Sequence, residues 1–388
     1  MIYMDCAATT PTDPLVLEEM LPYFIEKFGN ASSATRLGSA GKQAIRTARE
    51  QAAALIGALP EEIFFTSGGT ESDNWALRLG VRAGKSGRHI IVSAVEHPAV
   101  LRTAEDLARE GYRLTVLPVD AEGTVQPETL RSAMCEDTVL VSVMTANNEV
   151  GTIEPIRELA QIAHEGGALF HTDAVQAFGQ IPLIASELGA DLLSASAHKI
   201  FGPKGTGLLY VKKGVRLDAF LTGGGQERGR RSGTENVPGI VGFGKACALA
   251  AQQMEEAIRV KRSLQELFWE HLLTENPHVL VSGSRENRLP GNVHICLPGI
   301  EGETLLILLD QKGICASSGS ACSAGALEPS HVLTAMGRKA IEAKGSLRLT
   351  FSEHNTAEEV LEVCELIRVQ TARLRELSLP YEEYCKHV

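Results

Sequence analysis

Apolar side chains recur on a helical period between residues 40 and 57, where Ala44, Ile45, Ala48, Ala52, Leu55 and Ile56 share one face, and the spacing predicts an amphipathic helix. A second apolar-faced helix is predicted over 15–28, broken by Pro22 and closed by Gly29 and Asn30. The short apolar run 63–66 enters Ser67-Gly68-Gly69-Thr70-Glu71, which opens another helical pattern through Trp75 to Val81. Near-continuous apolar runs of strand length then follow at 90–95, 113–119, 138–145, 168–173, 191–197 and 207–211, most of them separated by helical stretches. Strands apolar on both sides that alternate with amphipathic helices predict an α/β chain with a mostly parallel sheet flanked by helices.

After a polar Gly/Arg loop at 223–236 the order changes. A long helix over about 241–275 leads to short strands at 279–282 and 291–297 and a helix at 303–311. A Ser/Gly/Ala-rich segment at 316–325, a strand at 346–352 and a terminal helix from about 356 to 377 complete the chain. This region reads as a smaller α+β domain. The expected division is a large domain over 16–250, with 1–15 and 251–388 forming the small one.

The composition narrows the function classes. With 388 residues, 44% of them hydrophobic, the chain has ample material for a full core. A net charge of −11 provides no basic field for nucleic acid. The start has neither a charged nor an apolar leader region, and no run reaches membrane-span length, so the expected compartment is the cytoplasm. Eight cysteines without a CxxC pair predict free thiols. Most of them read as buried structural thiols, Cys247 and Cys364 on helix faces and Cys296 on a strand. Two apparent motifs fail: Gly80 to Ser86 is one residue short of a P-loop, and Ala168 stands where a zinc helix built on His164 needs its second histidine. No metal site is expected.

The candidate chemistry gathers at the carboxyl ends of the predicted strands, where ligands bind in such sheets. These are Glu96-His97, Asn147-Asn148-Glu149, Asp173-Ala174-Val175-Gln176 and Ser196-Ala197-His198-Lys199. Lys199 follows an apolar strand and precedes a glycine-rich turn. By itself that leaves two readings open, a surface loop lysine or a desolvated amine able to form a Schiff base. The turn at Gly68-Gly69-Thr70 is likewise either an anion cup at a helix start or an ordinary capping box. A lysine-bound pyridoxal phosphate needs an amine, a phosphate cup, a carboxylate on the ring nitrogen and a cover for the ring. Lys199, Gly69 with Thr70, Asp173 and His97 suit these tasks, with Gln176 able to donate to the phenolic oxygen and Ser196 and His198 beside the lysine.

The chain resembles, over nearly its whole length, the cysteine desulfurases of the iron–sulfur-cluster type, within fold type I, class V pyridoxal-phosphate enzymes. The resemblance rests on YMDCAATT near Tyr3, TSGGTESDN from Thr66, Glu96-His97, NNEVG from Asn147, HTDAVQ from His171, SAHKIFGPKG from Ser196, RRSGTEN from Arg230, SSGSACSAG from Ser317 and SLRLTF from Ser346. It implies that Lys199 carries the cofactor, His97 stacks on its ring, Asp173 pairs with the ring nitrogen and Gln176 with the hydroxyl oxygen. Gly69, Thr70, Ser196 and His198 would hold the phosphate, with Thr234 reaching in from the neighbouring subunit of a homodimer. Asn148, beside the cofactor, and Arg348 would bind the substrate carboxylate.

The same resemblance implies that Cys322, in the long-loop branch of the family, takes sulfur from L-cysteine as a persulfide and releases L-alanine. The sulfur would pass to an iron–sulfur scaffold or a tRNA-thiolation enzyme, with no direct nucleic-acid or membrane contact. Selenocysteine lyase and a non-catalytic adaptor are the competing readings. Two positions depart from the family pattern. Cys6 stands where Asn or Tyr is commoner and reads as a small core residue, and Gly69 replaces a frequent Ala.

Overall fold

The computed structural model describes residues 1–318 and 329–386, and a seven-stranded sheet forms its centre. In spatial order the strands are Ile63–Thr66, Gly207–Val211, Leu192–Ser196, Leu169–Asp173, Thr138–Ser142, His89–Ser93 and Arg113–Leu117. Gly207–Val211 is antiparallel to both neighbours, and the remaining pairs are parallel. Every residue of the five strands between the two edges is buried, apart from half-buried Leu169. Their apolar runs are continuous for that reason: helices cover both faces, so neither side of the pleat meets water.

The edge strand Ile63–Thr66 shows the two-sided burial residue by residue. Phe64 packs edge-on against Trp75 with ring centroids 5.6 Å apart, while Phe65 meets Phe243 of the long helix at 6.4 Å on the opposite face. The helix Arg36–Leu55 lies against the long helix Val237–Glu275 on the Phe65 side. That long helix begins four residues earlier than the apolar period suggests, because the Asn236 side chain accepts from Gly239 N at 3.1 Å and caps it.

A second set of strands lies beyond the long helix. Asn292–Cys296 is the middle strand of an antiparallel sheet with Ser346–Thr350 and Leu280–Val281. Ile2–Tyr3 pairs in parallel with Ile314–Cys315. Met4, Phe268, Trp269, Leu347, Leu349, Val363 and Ile367 form one core that joins these strands to the long helix and to Ala357–Glu376. A last helix, Leu379–Cys385, has no counterpart in the apolar pattern; it is capped by Ser378 and none of its residues is fully buried.

Candidate active site

The carboxyl ends of the parallel strands open on one place. Lys199 closes a single 3-10 turn, Ala197–Lys199, directly after the strand Leu192–Ser196. Its ε-amine donates to the main-chain carbonyls of Ala7 and Ala8, the second at 2.8 Å. Gln176 Nε2 donates to the same Ala7 carbonyl at 3.0 Å. The segment after Tyr3 therefore lies across the lysine, and three hydrogen bonds fix it there. Behind the turn, Gln180 Nε2 donates to the Lys199 carbonyl at 2.8 Å, and Lys261 Nζ donates to Gln180 Oε1 at 2.5 Å. Lys261 is buried on the long helix, so the lysine turn is braced by a residue far away in sequence.

Asp173 ends its strand with a buried carboxyl that accepts from Val175 N at 2.8 Å. Burial pushes this carboxyl upward, and the nearby His97 and Lys199 oppose that push. His97 answers in the opposite sense: burial pulls the imidazole down, while Asp173 pulls it up. These three residues, 26 and 102 positions from Lys199 at the extremes, thus share one electrostatic neighbourhood. His97 is also the cap of the helix Pro98–Arg109, its Nδ1 accepting from Ala99 N at 3.1 Å. An accepting Nδ1 fixes the neutral tautomer with the proton on Nε2.

The residues present fit a pyridoxal phosphate. Gly68, the cap position of the helix Gly69–Gly80, has no side chain to cap it, while Glu71 Oε2 accepts from Ser67 N at 2.9 Å and Thr66 Oγ1 accepts from Gly68 N at 3.4 Å; an anion at this N-terminus would meet the N–H groups of Gly69 and Thr70. The turn is also closely packed: a Cβ on Gly69 would come within 2.6 Å of Val175 Cγ2, and one on Gly207 within 2.6 Å of Gly68 Cα. Ser196 Oγ lies 3.9 Å from the place a Gly68 Cβ would take. A cup of main-chain donors, a buried carboxyl and an amine are what the phosphate, ring nitrogen and aldehyde of that cofactor require.

Other expected site residues are engaged differently. His198 Nδ1 is 3.1 Å from Thr9 Oγ1, which ties the imidazole to the N-terminal segment. Thr70 is exposed on the first turn of its helix, and Thr234 is exposed on the Gly/Arg loop. That loop is held to the turn by Arg231, whose Nε and Nη2 meet the two carboxylate oxygens of Glu71 at 2.7 and 3.0 Å. Arg348 is not the open fork that the sequence suggests. Its Nη2 pairs with Asp5 Oδ1 at 2.9 Å, its Nη1 donates to the Asn148 carbonyl at 2.7 Å, and its buried Nε has no partner among the described residues. Asp5 was hidden inside the YMDCAATT run and is paired from 343 positions away.

Cys322 lies outside the described residues. Cys6, expected as a core residue, instead lines a cavity of about 40 Å³ with Lys199, Gln176 and Asn292. Burial, with some help from Glu353, pushes its thiol up to about 12, so it stays protonated there. Cys247, Cys296 and Cys364 are buried as expected.

Residues 2–363 match the family model "Aminotransferase class-V". The chain is 50% identical over 385 residues to the cysteine desulfurase IscS of Methanosarcina thermophila, covering 99% of this chain and 95% of that one. It is 47% identical to the cysteine desulfurase IscS of Clostridium botulinum strain Hall, over 100% and 98% of the two chains. Among solved structures it is similar to a NifS-like protein, with a TM-score of 0.90 at 40% identity over 96% and 100% of the chains. SspA in complex with cysteine superposes with a TM-score of 0.80 at 34% identity, over 92% and 100%.

Proposed function

The chain belongs to the aminotransferase class-V family, and from its identity of 47% and 50% to full-length cysteine desulfurases we infer that it is a pyridoxal-phosphate-dependent cysteine desulfurase, taking sulfur from L-cysteine and releasing L-alanine. The observation that carries the reading is the shared neighbourhood of Lys199, Asp173 and His97 beside an uncapped helix N-terminus. When bound, the cofactor supplies an electron sink that makes the substrate's Cα–H acidic and loosens its Cβ–S bond.

In this reading the protein's residues position and exchange protons. Lys199 would hold the cofactor through its ε-amine, and its Nζ would take up the substrate's α-proton. Asp173 keeps a proton on the ring nitrogen. The main-chain N–H groups at Gly69 and Thr70, with Ser196 and His198, hold the phosphate. His97 covers the ring and presents Nε2–H, and Gln176 serves the hydroxyl oxygen. Arg348 and Asn148 hold the α-carboxylate. The Cys322 thiolate would attack the substrate sulfur; an S–S bond forms as Cβ–S breaks, its electron pair stays with the three-carbon fragment, and a proton taken up at Cβ together with return of the α-proton from Lys199 Nζ gives L-alanine.

We extend the reading to a homodimer in which Thr234 of each copy completes the other's phosphate site. The large domain spans 16–250, with 1–15 and 251–388 in the small one. The persulfide sulfur goes to a scaffold for iron–sulfur clusters or to a tRNA-thiolation enzyme in the cytoplasm. None of the helices among the described residues is long and apolar enough to cross a membrane. The test is incubation with L-cysteine while L-alanine and the mass of the Cys322 peptide are followed. One L-alanine per sulfur and a peptide heavier by one sulfur atom are expected. Alanine without sulfur on Cys322 removes that residue from its role.

A further inference from the structure

Lys261 stands where folding alone gives no reason for a lysine. It lies on the long helix Val237–Glu275 with 4% of the residue exposed, and its amine donates to an uncharged group, Gln180 Oε1, at 2.5 Å. Burial pulls the amine down, and the neighbouring Glu353 carboxylate opposes that pull without reversing it. An ammonium taken out of water and held by an amide oxygen is a net cost to stability, so its place is to be explained by what it holds.

What it holds is the main chain of Lys199. The Lys199 carbonyl can only accept, so the end of the Gln180 amide facing it, at 2.8 Å, is Nε2–H. That turns Oε1 to Lys261 and gives the chain of donors a single direction. Gln180 also shares a helical turn with Gln176, through bonds from Phe178 N to the Ala174 carbonyl and from Gln180 N to the Ala177 carbonyl. Gln176 Nε2 and Lys199 Nζ meet on the Ala7 carbonyl, so one turn of chain serves both ends of the lysine. The turn is wedged in place at Gly179, where an added Cβ would come within 2.8 Å of Ile200 Cγ2 and 3.3 Å of Ala250 Cβ on the long helix.

In the function proposed above Nζ changes partners during the reaction, so the hydrogen bonds it makes to Ala7 and Ala8 cannot stay constant. The bond to the Lys199 carbonyl does not involve Nζ and can. We propose that Lys261 is a positioning residue for this reaction, fixing the Lys199 main chain through Gln180 so that Nζ returns to one place each time it is released. The inference rests on Lys199 as the residue that carries the cofactor.

The test begins with Lys261→Met, which keeps the apolar stem and removes the donor. In the cofactor-loaded protein kcat for L-alanine formation is expected to fall at least about tenfold, with KM for L-cysteine within about twofold and the cofactor dissociation constant, read by fluorescence, raised about fivefold. The melting temperature of the cofactor-free protein should change little. Lys261→Arg restores a donor, with room in the adjoining cavity of about 30 Å³, and should recover most of kcat. Gln180→Leu should reproduce the loss, and adding Lys261→Met to it should cost nothing further. A merely structural lysine would lower the melting temperature and leave kcat unmoved; that outcome, or losses that add in the double variant, overturns the proposal. Borohydride trapping of the native protein, with the labelled peptide mapped, keeps the two readings apart. Label on Lys199 beside a fully active Lys261→Met removes this inference alone, and label on another lysine removes both.

Discussion

Ser330 Oγ donates to Glu149 Oε2 across 2.5 Å, joining the cap of the helix His331–Ala335 to a carboxyl that is almost wholly buried. The same serine oxygen accepts from Val332 N and Leu333 N, so one hydroxyl serves both the helix start and the carboxyl. Burial pushes Glu149 up to about 7, against the opposing pull of Ser330 and Arg348. Its ordinary value is 4.5, so between these values the folded protein retains a proton that the unfolded chain has lost. Stability from this group is complete below the lower value and is lost as the pH rises through the upper one. Glu149→Gln keeps the acceptor for Ser330 and removes the titration. Its melting temperature should therefore gain on the native protein from about pH 4.5 to about pH 7, by the equivalent of at most about 3 kcal/mol. Parallel melting curves across that range would contradict the assignment.

Lys199 is expected to be indispensable for both colour and turnover. Lys199→Ala should lose the visible absorbance of bound cofactor on gel filtration and form alanine at least about a thousandfold more slowly. Far-ultraviolet circular dichroism should stay native. Persistent absorbance would mean that another amine carries the cofactor.

Gly69 is tied to Val175 by contact. The closest approach for an added Cβ is 2.6 Å, and Val175 is β-branched, with little freedom at χ1 to move away. Gly69→Ala is expected to cost about 1–2 kcal/mol. Val175→Ala in the same chain should recover most of that loss. Urea unfolding of the two single variants and the double variant measures the coupling, and additive costs would rule the contact out.

Arg231 braces the turn that would bind phosphate. Its two-point pairing with Glu71 leaves 23% and 12% of the respective side chains exposed. Arg231→Met should weaken retention of the cofactor about tenfold, with little change in melting temperature of the cofactor-free protein. Dialysis against buffer, followed by fluorescence of the released cofactor, gives the constant. Undiminished retention would show that the pair serves the loop alone.

Much of this protein is legible in its apolar pattern. The strands of the large sheet are all foreshadowed within a few residues, because burial on both faces leaves an unbroken apolar run that needs no partner to be recognised. The candidate chemistry is legible for a related reason. Asp173, His97 and Lys199 each follow such a run, and in a parallel sheet the ends of the runs face one crevice.

What the linear pattern does not carry is pairing between distant segments. Asp5 and Arg348, Ala7 and Lys199, Glu71 and Arg231, and Cys6 beside the lysine cavity all depend on where separate stretches of chain meet. A carboxylate written in isolation has no sign of its partner, and a backbone carbonyl has no sign of its donor. The sequence by itself determined the elements and the residue types available for chemistry, since both follow from local periodicity and side-chain identity. Only the tertiary structure decided which charges neutralise one another and which donor remains unspent, because electrostatic energy depends on separation and burial rather than on order along the chain.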